Sequence, residues 1–202
     1  MILVLEDNKA LRMIIRKALE KAGYDVKTAE NGEEGLKILE EETPDLIISD
    51  VIMPEMDGFE FLKKIRKKHP LVPFTFLTVK SELEDYSKGY ELGATDYITK
   101  PFDVEILLKK VEKRIASGKI LKEIIEEGKN TVDLGKILPV DLITRLKENK
   151  IDCKITISSP DGNGSIEIKK GKIKKSAFDD LEDKQALLKI AGLHKGEIEI
   201  ER

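Results

Sequence analysis

Glu6, Asp7, Asp50, Thr78 and Lys100 each stand at or just beyond the end of a short apolar run. "ILVL" (2–5) leads into Glu6 and Asp7, "DLIISD" (45–50) ends on Asp50, "FTFLT" (74–78) ends on Thr78, and "DYIT" (96–99) leads into Lys100. Carboxylates crowded together repel, and burying them uncompensated is expensive, so a cation must balance them. A hard divalent ion such as Mg²⁺ prefers oxygen ligands in an octahedron and keeps some of its waters. Asp7 and Asp50 as direct ligands, Glu6 acting through water and a backbone carbonyl from the loop after Asp50 would suit it. Such an ion would join Asp50 to an incoming phosphoryl group and neutralise charge as it builds, making Asp50 a competent nucleophile for phosphoryl transfer. Lys100 could then pair with the phosphoryl oxygens, and the Thr78 hydroxyl could donate a hydrogen bond to another. Taken singly, each residue has a plainer reading: a strand-end Asp is often a helix N-cap, Thr78 fits strand propensity, and Lys100 is one more solvated lysine. Their joint arrival is what points to chemistry.

The elements that would bring them together are legible in the hydrophobic period. The four runs above and "YDVKTA" (24–29) have strand length and β-branched or aromatic content. Between and after them lie helical patterns. "NKALRMIIRKALEKAG" sets Leu11, Ile14, Ile15, Ala18 and Leu19 on one face, with Asn8 as N-cap and Gly23 as the stop. "NGEEGLKILEEE", "GFEFLKKIRKKH", "SELEDYSKGYELG" and "DVEILLKKVEKRI" repeat the design. Strands alternating with helices predict an α/β fold, a five-stranded parallel, doubly wound sheet with helices on both faces. In such sheets ligands bind beyond the carboxyl ends of the strands, the rim to which these side chains are delivered.

Residues 1 to about 116 resemble the receiver domain of two-component response regulators, of the chemotaxis-regulator, flavodoxin-like type. The resemblance is carried by "ED" at 6 and 7, "SDVIMPEMDG" around Asp50, "LT" ending at Thr78, and "GATDYITKPF" holding Lys100 before Pro101. It implies that Asp50 is phosphorylated by a partner histidine kinase or a small phosphodonor, with Mg²⁺ held by Asp7, Asp50 and the backbone carbonyl of Ile52. It also makes Thr78 and Tyr97 a switch pair, in which the hydroxyl moves toward the phosphoryl group and the ring turns inward, and it gives Pro101 a cis bond that orients Lys100. Asp57, beside Gly58, reads as a turn or helix-start residue. Two departures stand out. Val79 and Lys80 follow Thr78 where the family often has a small residue, which predicts a long-lived phosphoaspartate. Ile106 and Lys110 take positions where DNA-binding members carry a Glu and an Arg that pair across a dimer; Ile106 is expected in the core, and that mode of dimerisation is in doubt.

The chain continues well past this region. The fifth helix is expected to run on through "ASGKILKEIIEEG", with Ile115, Ile120, Leu121, Ile124 and Ile125 in helical spacing and a break at Gly118 as the alternative. After it come "TVDLGKI", a helix "LPVDLITRLKENK" with Pro139 in its first turn, strands "DCKITISS" and "SIEIKK" joined by "PDGNG", "GKIKKSAF", a helix "EDKQALLKIAGL", and a closing strand "GEIEIER". This predicts a smaller α+β domain with an antiparallel sheet. The expected organisation is a receiver over 1–118, a helical linker over 119–129 continuing the fifth helix, and an output domain over 130–202. The order of elements is similar to the PATAN domain, which implies protein binding and no catalytic residue.

Other functions for this second part are weaker. Lys169, Lys170, Lys172, Lys174 and Lys175 form a basic hairpin, but there is no aromatic among them for stacking on bases and little Arg to read base edges. His194 reads as a surface or capping residue. The formal charge of −3 gives no global pull toward nucleic acid, Cys153 is the single cysteine, and the charged fraction is 37%. With no apolar run long enough to span a bilayer and no secretory signal pattern, the expectation is a cytoplasmic, non-enzymatic phosphoprotein. Its expected partners are a histidine kinase and a downstream protein, with a phosphorylation-dependent homodimer left open. The alternatives are a DNA-binding regulator and a scaffold that works without phosphorylation.

Overall fold

In the computed structural model, which describes residues 1–79, 89 and 92–202, the chain divides into two compact units, Met1–Gly118 and Lys119–Arg202. The first is built on five parallel strands in the order β2-β1-β3-β4-β5. They are β1 (Ile2–Leu5), β2 (Val26–Ala29), β3 (Leu46–Asp50), β4 (Phe74–Val79) and β5 (Asp96–Lys100). Among the described residues its helices are α1 (Lys9–Lys21), α2 (Gly32–Glu41), α3 (Gly58–Ile65) and the part of α4 (Val104–Glu127) up to Gly118. The strands read as apolar runs because both faces are covered. Ile2, Val4, Ile48, Leu77 and Ile98 pack with Ile15 and Leu19 of α1 and Leu107 and Val111 of α4. On the other face Leu3, Leu5, Ile47, Phe74 and Phe76 pack with Leu39 of α2 and Phe61, Leu62 and Ile65 of α3. The helix expected over 81–93 lies largely outside the described residues, as does Lys80.

Two apolar assignments are corrected by the structure. Ile14 is 54% exposed and Ile106 is 52% exposed, so neither belongs to the core. In α1 the buried stripe runs through Arg12, Ile15 and Leu19, leaving Ile14 on its margin. Gly118 does not break α4, which continues to Glu127. A glycine inside a helix costs about 1 kcal/mol relative to alanine, but a Cβ here would lie 2.7 Å from Cγ of Pro73, so the missing methyl is what lets the helix pass.

The second unit contains a six-stranded antiparallel sheet in the order β10-β9-β8-β7-β11-β6. Its strands are β6 (Thr131–Asp133), β7 (Cys153–Ser159), β8 (Gly162–Lys169), β9 (Lys172–Phe178), β10 (Leu181–Glu182) and β11 (Glu197–Glu201), with helices α5 (Pro139–Glu148) and α6 (Asp183–Ala191). Ile155, Ile157, Ile166, Ile168, Phe178, Ile198 and Ile200 form its core with Leu142 and Leu146 of α5, Ile190 of α6, and Ile120, Leu121 and Ile124 from the end of α4. The alternate positions Lys154, Glu197, Glu199 and Glu201 are exposed, the usual division of an antiparallel sheet with one wet face. Residues 162–164, read from composition as turn, belong to β8. Gly164 pairs with Ile157, and a Cβ there would meet the Phe178 ring at 2.9 Å. Among the described residues no helix is long and apolar enough to cross a membrane.

One buried ion cluster ties β5 to α4. Asp96 accepts from Lys110 Nζ at 2.8 Å and Arg114 Nε at 3.0 Å, and from the backbone N–H of Tyr97 at 2.7 Å. Burial alone would raise its pKa, but Arg114 and Lys110 outweigh it and hold the carboxyl below its ordinary value. A depressed carboxylate pKa adds stability that is present above the unfolded value and is lost as pH falls through the folded one. We therefore expect Asp96→Asn to lower stability by about 3 kcal/mol at neutral pH, because it leaves a buried guanidinium short of its counter-charge. In urea denaturation at stepped pH, the difference should narrow on acidification below the ordinary carboxylate range; a difference that stays constant with pH would contradict the assignment.

Candidate functional site

The site is assembled by strand register. Leu5 of β1 pairs with Ser49 of β3, so the next residues, Glu6 and Asp50, arrive side by side at the carboxyl edge. Asp50 in turn pairs with Leu77 and Val79 with Lys100, which puts Lys100 farther along the edge, from where its long side chain reaches back. Lys100 Nζ lies 2.5 Å from Asp50 Oδ2 and 2.8 Å from Glu6 Oε2. Carboxylate oxygens of Glu6, Asp7 and Asp50 all fall within 4.8 Å of one another.

Local structure holds each piece. Asn8 caps α1, its Oδ1 accepting from the N–H groups of Ala10 at 3.0 Å and Leu11 at 3.1 Å, which stabilises the helix end and fixes the exit of the acidic pair. The loop after Asp50 closes through a bond from the N–H of Gly58 to the Val51 carbonyl at 2.9 Å. Asp57 is the α3 N-cap, accepting from the N–H of Glu60 at 2.8 Å. Ile52 lies in this loop with its side chain 65% exposed.

The electrostatics are uneven. Glu6 is buried, and burial raises its pKa against the opposing hydrogen bond from Lys100, with the Asp50 charge adding to the rise. Burial disfavours the Lys100 ammonium, but its bonds to Asp50 and Glu6 prevail and lift its pKa above the usual lysine value. Lys100 is therefore a cation throughout the physiological range. With all three acids ionised, one ammonium leaves two negative charges in an all-oxygen donor set with an exposed Asp7. That set fits a hard divalent ion.

The remaining sequence candidates lie on neighbouring strands. Thr78 is buried at 1% exposure, and its Oγ1 donates to the Val79 carbonyl at 3.3 Å. Tyr97 is buried, its ring stacked on Phe76 at a centroid distance of 5.4 Å. A Cβ on Gly89 would lie 1.7 Å from the Tyr97 hydroxyl, so the ring uses the space that this glycine leaves. The Lys100–Pro101 peptide bond is cis.

Sequence reasoning missed three contributors. Arg12 is buried and donates to the backbone carbonyls of Glu6 and Asp7; the available signal was a charged residue three before Ile15 and seven before Leu19 in the buried helical stripe. Ser49 Oγ donates to the Asp50 carbonyl at 2.8 Å. At Gly58 a Cβ would stand 2.2 Å from the same carbonyl.

Comparison with known proteins agrees with this geometry. The response regulator receiver domain family matches residues 2–112. The chain belongs to that family. Among curated receiver proteins it is 38% identical over 158 residues to the alkaline phosphatase synthesis transcriptional regulatory protein PhoP of Bacillus subtilis, an alignment covering 75% of this chain and 65% of PhoP. It is 40% identical over 113 residues to the DNA-binding transcriptional regulator NtrC of Escherichia coli K12, covering 56% of this chain and 24% of NtrC. The alignments thus span less than two thirds of either relative. The receiver fold is also similar to solved structures. Chemotaxis response regulator CheY4 of Vibrio cholerae is 37% identical with a TM-score of 0.54, covering 56% of this chain and 96% of that one. A CheY-like receiver of Methanospirillum hungatei is 31% identical with a TM-score of 0.57, covering 59% and 95%.

The close approach at the receiver's acidic loop is testable without any ligand. Gly58→Ala must push the Asp50 carbonyl or the α3 backbone aside, and overpacking of this kind costs about 1–3 kcal/mol. Urea denaturation of the full chain should show a loss in that range, with amide shift changes centred on residues 49–51. A loss under about 0.5 kcal/mol, the scatter of ordinary surface changes, would mean that the loop yields freely.

Proposed function

We propose that the protein is a response regulator that accepts a phosphoryl group on Asp50 from a histidine kinase and signals through its second unit. The observation that carries this reading is the convergence of Glu6, Asp7 and Asp50 around Lys100 at one sheet edge. The Asp50 carboxylate attacks phosphorus as the donor's bond to phosphorus breaks. Lys100, already on Asp50, pairs with the incoming phosphoryl oxygens. Thr78 turns its hydroxyl toward the same group, and Tyr97, buried against Phe76, follows it as the second half of the switch. Asp7, Asp50 and the Ile52 carbonyl would hold Mg²⁺, with Glu6 acting through water; the ion would supply charge neutralisation at the transferring group. Pro101 fixes the turn that presents Lys100. An apolar groove of about 420 Å³ lined by Leu11, Ile14, Val79, Phe102 and Val104 opens beside Lys100, and supports a protein as the phosphodonor.

For output we propose protein binding by a PATAN-like domain over 130–202, reached through the linker 119–129, which is helical as the end of α4 to Glu127. His194 and the lysines of the basic hairpin are exposed, and the second unit's described residues contain no cluster of catalytic type. DNA binding is the second reading. The alignment with PhoP runs over 158 residues, longer than the first unit, and PhoP and NtrC are named as transcriptional regulators. Against it, α5 and α6 are separated by four strands, whereas a helix-turn-helix needs consecutive helices. A phosphorylation-dependent homodimer fits either output.

Incubation with acetyl phosphate and Mg²⁺ should add one phosphoryl group by mass spectrometry, an addition prevented by chelator and by Asp50→Ala. Failure to label would favour a scaffold working without phosphorylation. Affinity capture with the phosphorylated chain, set beside Asp50→Ala, should recover a protein partner; salt-dependent binding to duplex DNA instead would favour the second reading. Val79, 45% exposed beside the phosphoryl position, should hinder attacking water. We expect the phosphoaspartate to persist for many minutes in the purified chain, and Val79→Ala to shorten it; a lifetime of seconds in the parent would refute this.

A further inference from the structure

Arg12 plays no part in the chemistry above, yet it is 8% exposed on the inner face of α1 and both of its terminal guanidinium nitrogens are bonded at the rim. Nη1 donates to the Glu6 carbonyl at 2.6 Å and to the Asp7 carbonyl at 3.2 Å, and Nη2 pairs with Glu30 Oε1. Strand β1 ends at Leu5, and the last rung beyond it is the Glu6 N–H to the Ala29 carbonyl at 3.2 Å. Past that point the two carbonyls have left the ladder, and for the buried one, of Glu6, the lack of a donor would be costly. Holding both carbonyls restrains the backbone from which the Glu6 and Asp7 side chains project. Three carboxylates within 4.8 Å push one another apart, so a flexible acidic pair would splay.

The far end of this contact matters equally. Glu30 precedes Asn31, the N-cap of α2, whose Oδ1 accepts from the N–H of Glu34 at 2.9 Å while its Nδ2 donates to Glu55 Oε2 at 3.2 Å. The next residue, Gly32, donates its N–H to the Met56 carbonyl at 3.1 Å. One short segment, 30–32, thereby grips Arg12 on one side and the loop following Asp50 on the other.

We propose that Arg12 is a positioning residue for the cation site: its guanidinium clamps the Glu6 and Asp7 carbonyls to Glu30 and so holds the acidic pair at binding distance from Asp50. The role rests on the Mg²⁺-dependent reading above. It requires arginine, because a planar fork with five donors can serve three acceptors at once, whereas a lysine at the same position presents a compact point charge.

The test uses the unphosphorylated full chain and Mg²⁺ alone, with affinity read by titration calorimetry and stability by urea denaturation. Arg12→Lys should weaken Mg²⁺ binding about tenfold, the lower end of what loss of a ligand-supporting contact does to metal affinity. Glu30→Ala, a change at an exposed residue, should weaken binding in the same direction and carries the test if Arg12→Lys does not fold. Asp96→Asn, destabilised at a distance from the acidic pair, should leave Mg²⁺ affinity at the parent value. Parent-like affinity in the folded Arg12 variant, or in Glu30→Ala when that variant stands in for it, would overturn the proposal, as would an equal loss in Asp96→Asn, which would trace the effect to stability. A parent chain that binds no Mg²⁺ would remove the underlying reading as well.

Discussion

The ammonium of Lys100, held between Glu6 and Asp50, is the interaction on which the rest of the first unit's rim depends. Two carboxylates within 4.8 Å repel by about 3 kcal/mol at an effective dielectric of about 20, and Glu6 also carries the cost of burial. A sheet that delivers acids from adjacent strands must therefore deliver a cation from a third. The order β2-β1-β3-β4-β5 places β1 and β3 next to each other for the acids and leaves β5 two strands away from β3. Only a side chain with the reach of lysine or arginine spans that gap. Because its partners raise the Lys100 pKa, the compensation is constant across physiological pH, and the charge left over is what an added cation can balance.

The two faces of the sheet divide the labour. Side chains alternate along a strand, so Glu6, Asp50 and Lys100 belong with Val4, Ile48 and Ile98, on the α1 and α4 side. Thr78 and Tyr97 belong with Phe76, on the aromatic side, where the Phe76 ring contacts those of Phe59, Phe74 and Tyr97. Charge is thus managed on one face and ring packing on the other, with β4 and β5 common to both.

Much of this was legible before any coordinates. Apolar runs that end on Glu6, Asp50, Thr78 and before Lys100 announce a parallel sheet and its carboxyl rim together, because burial on both faces forces continuous apolar strands and the first polar residue marks the edge. What escaped had no one-dimensional signature. Arg12 drew no reading because periodicity treats every charge as outward, whereas its buried guanidinium reaches the strand-end carbonyls. Ile14 and Ile106 were counted inward by the converse error, since apolar type does not by itself oblige burial. β10, two residues long, is set by its partner Phe178 and Ala177 and by nothing in its own sequence.

Glycines show the same limit from another side. Composition reads "DGNG" as turn, and the turn is there, but Gly164 sits opposite Ile157 in the ladder because Phe178 needs the volume over it. Gly58 and Gly118 likewise mark places where another group comes too close for a methyl, the Asp50 carbonyl in one case and Pro73 in the other. In each, the residue is chosen by a neighbour distant in sequence, so its meaning appears only when the pairing is known. Gly58 is the sharpest case, since the atom it makes room for belongs to Asp50 itself: the backbone that carries this carboxylate is packed directly against the start of α3.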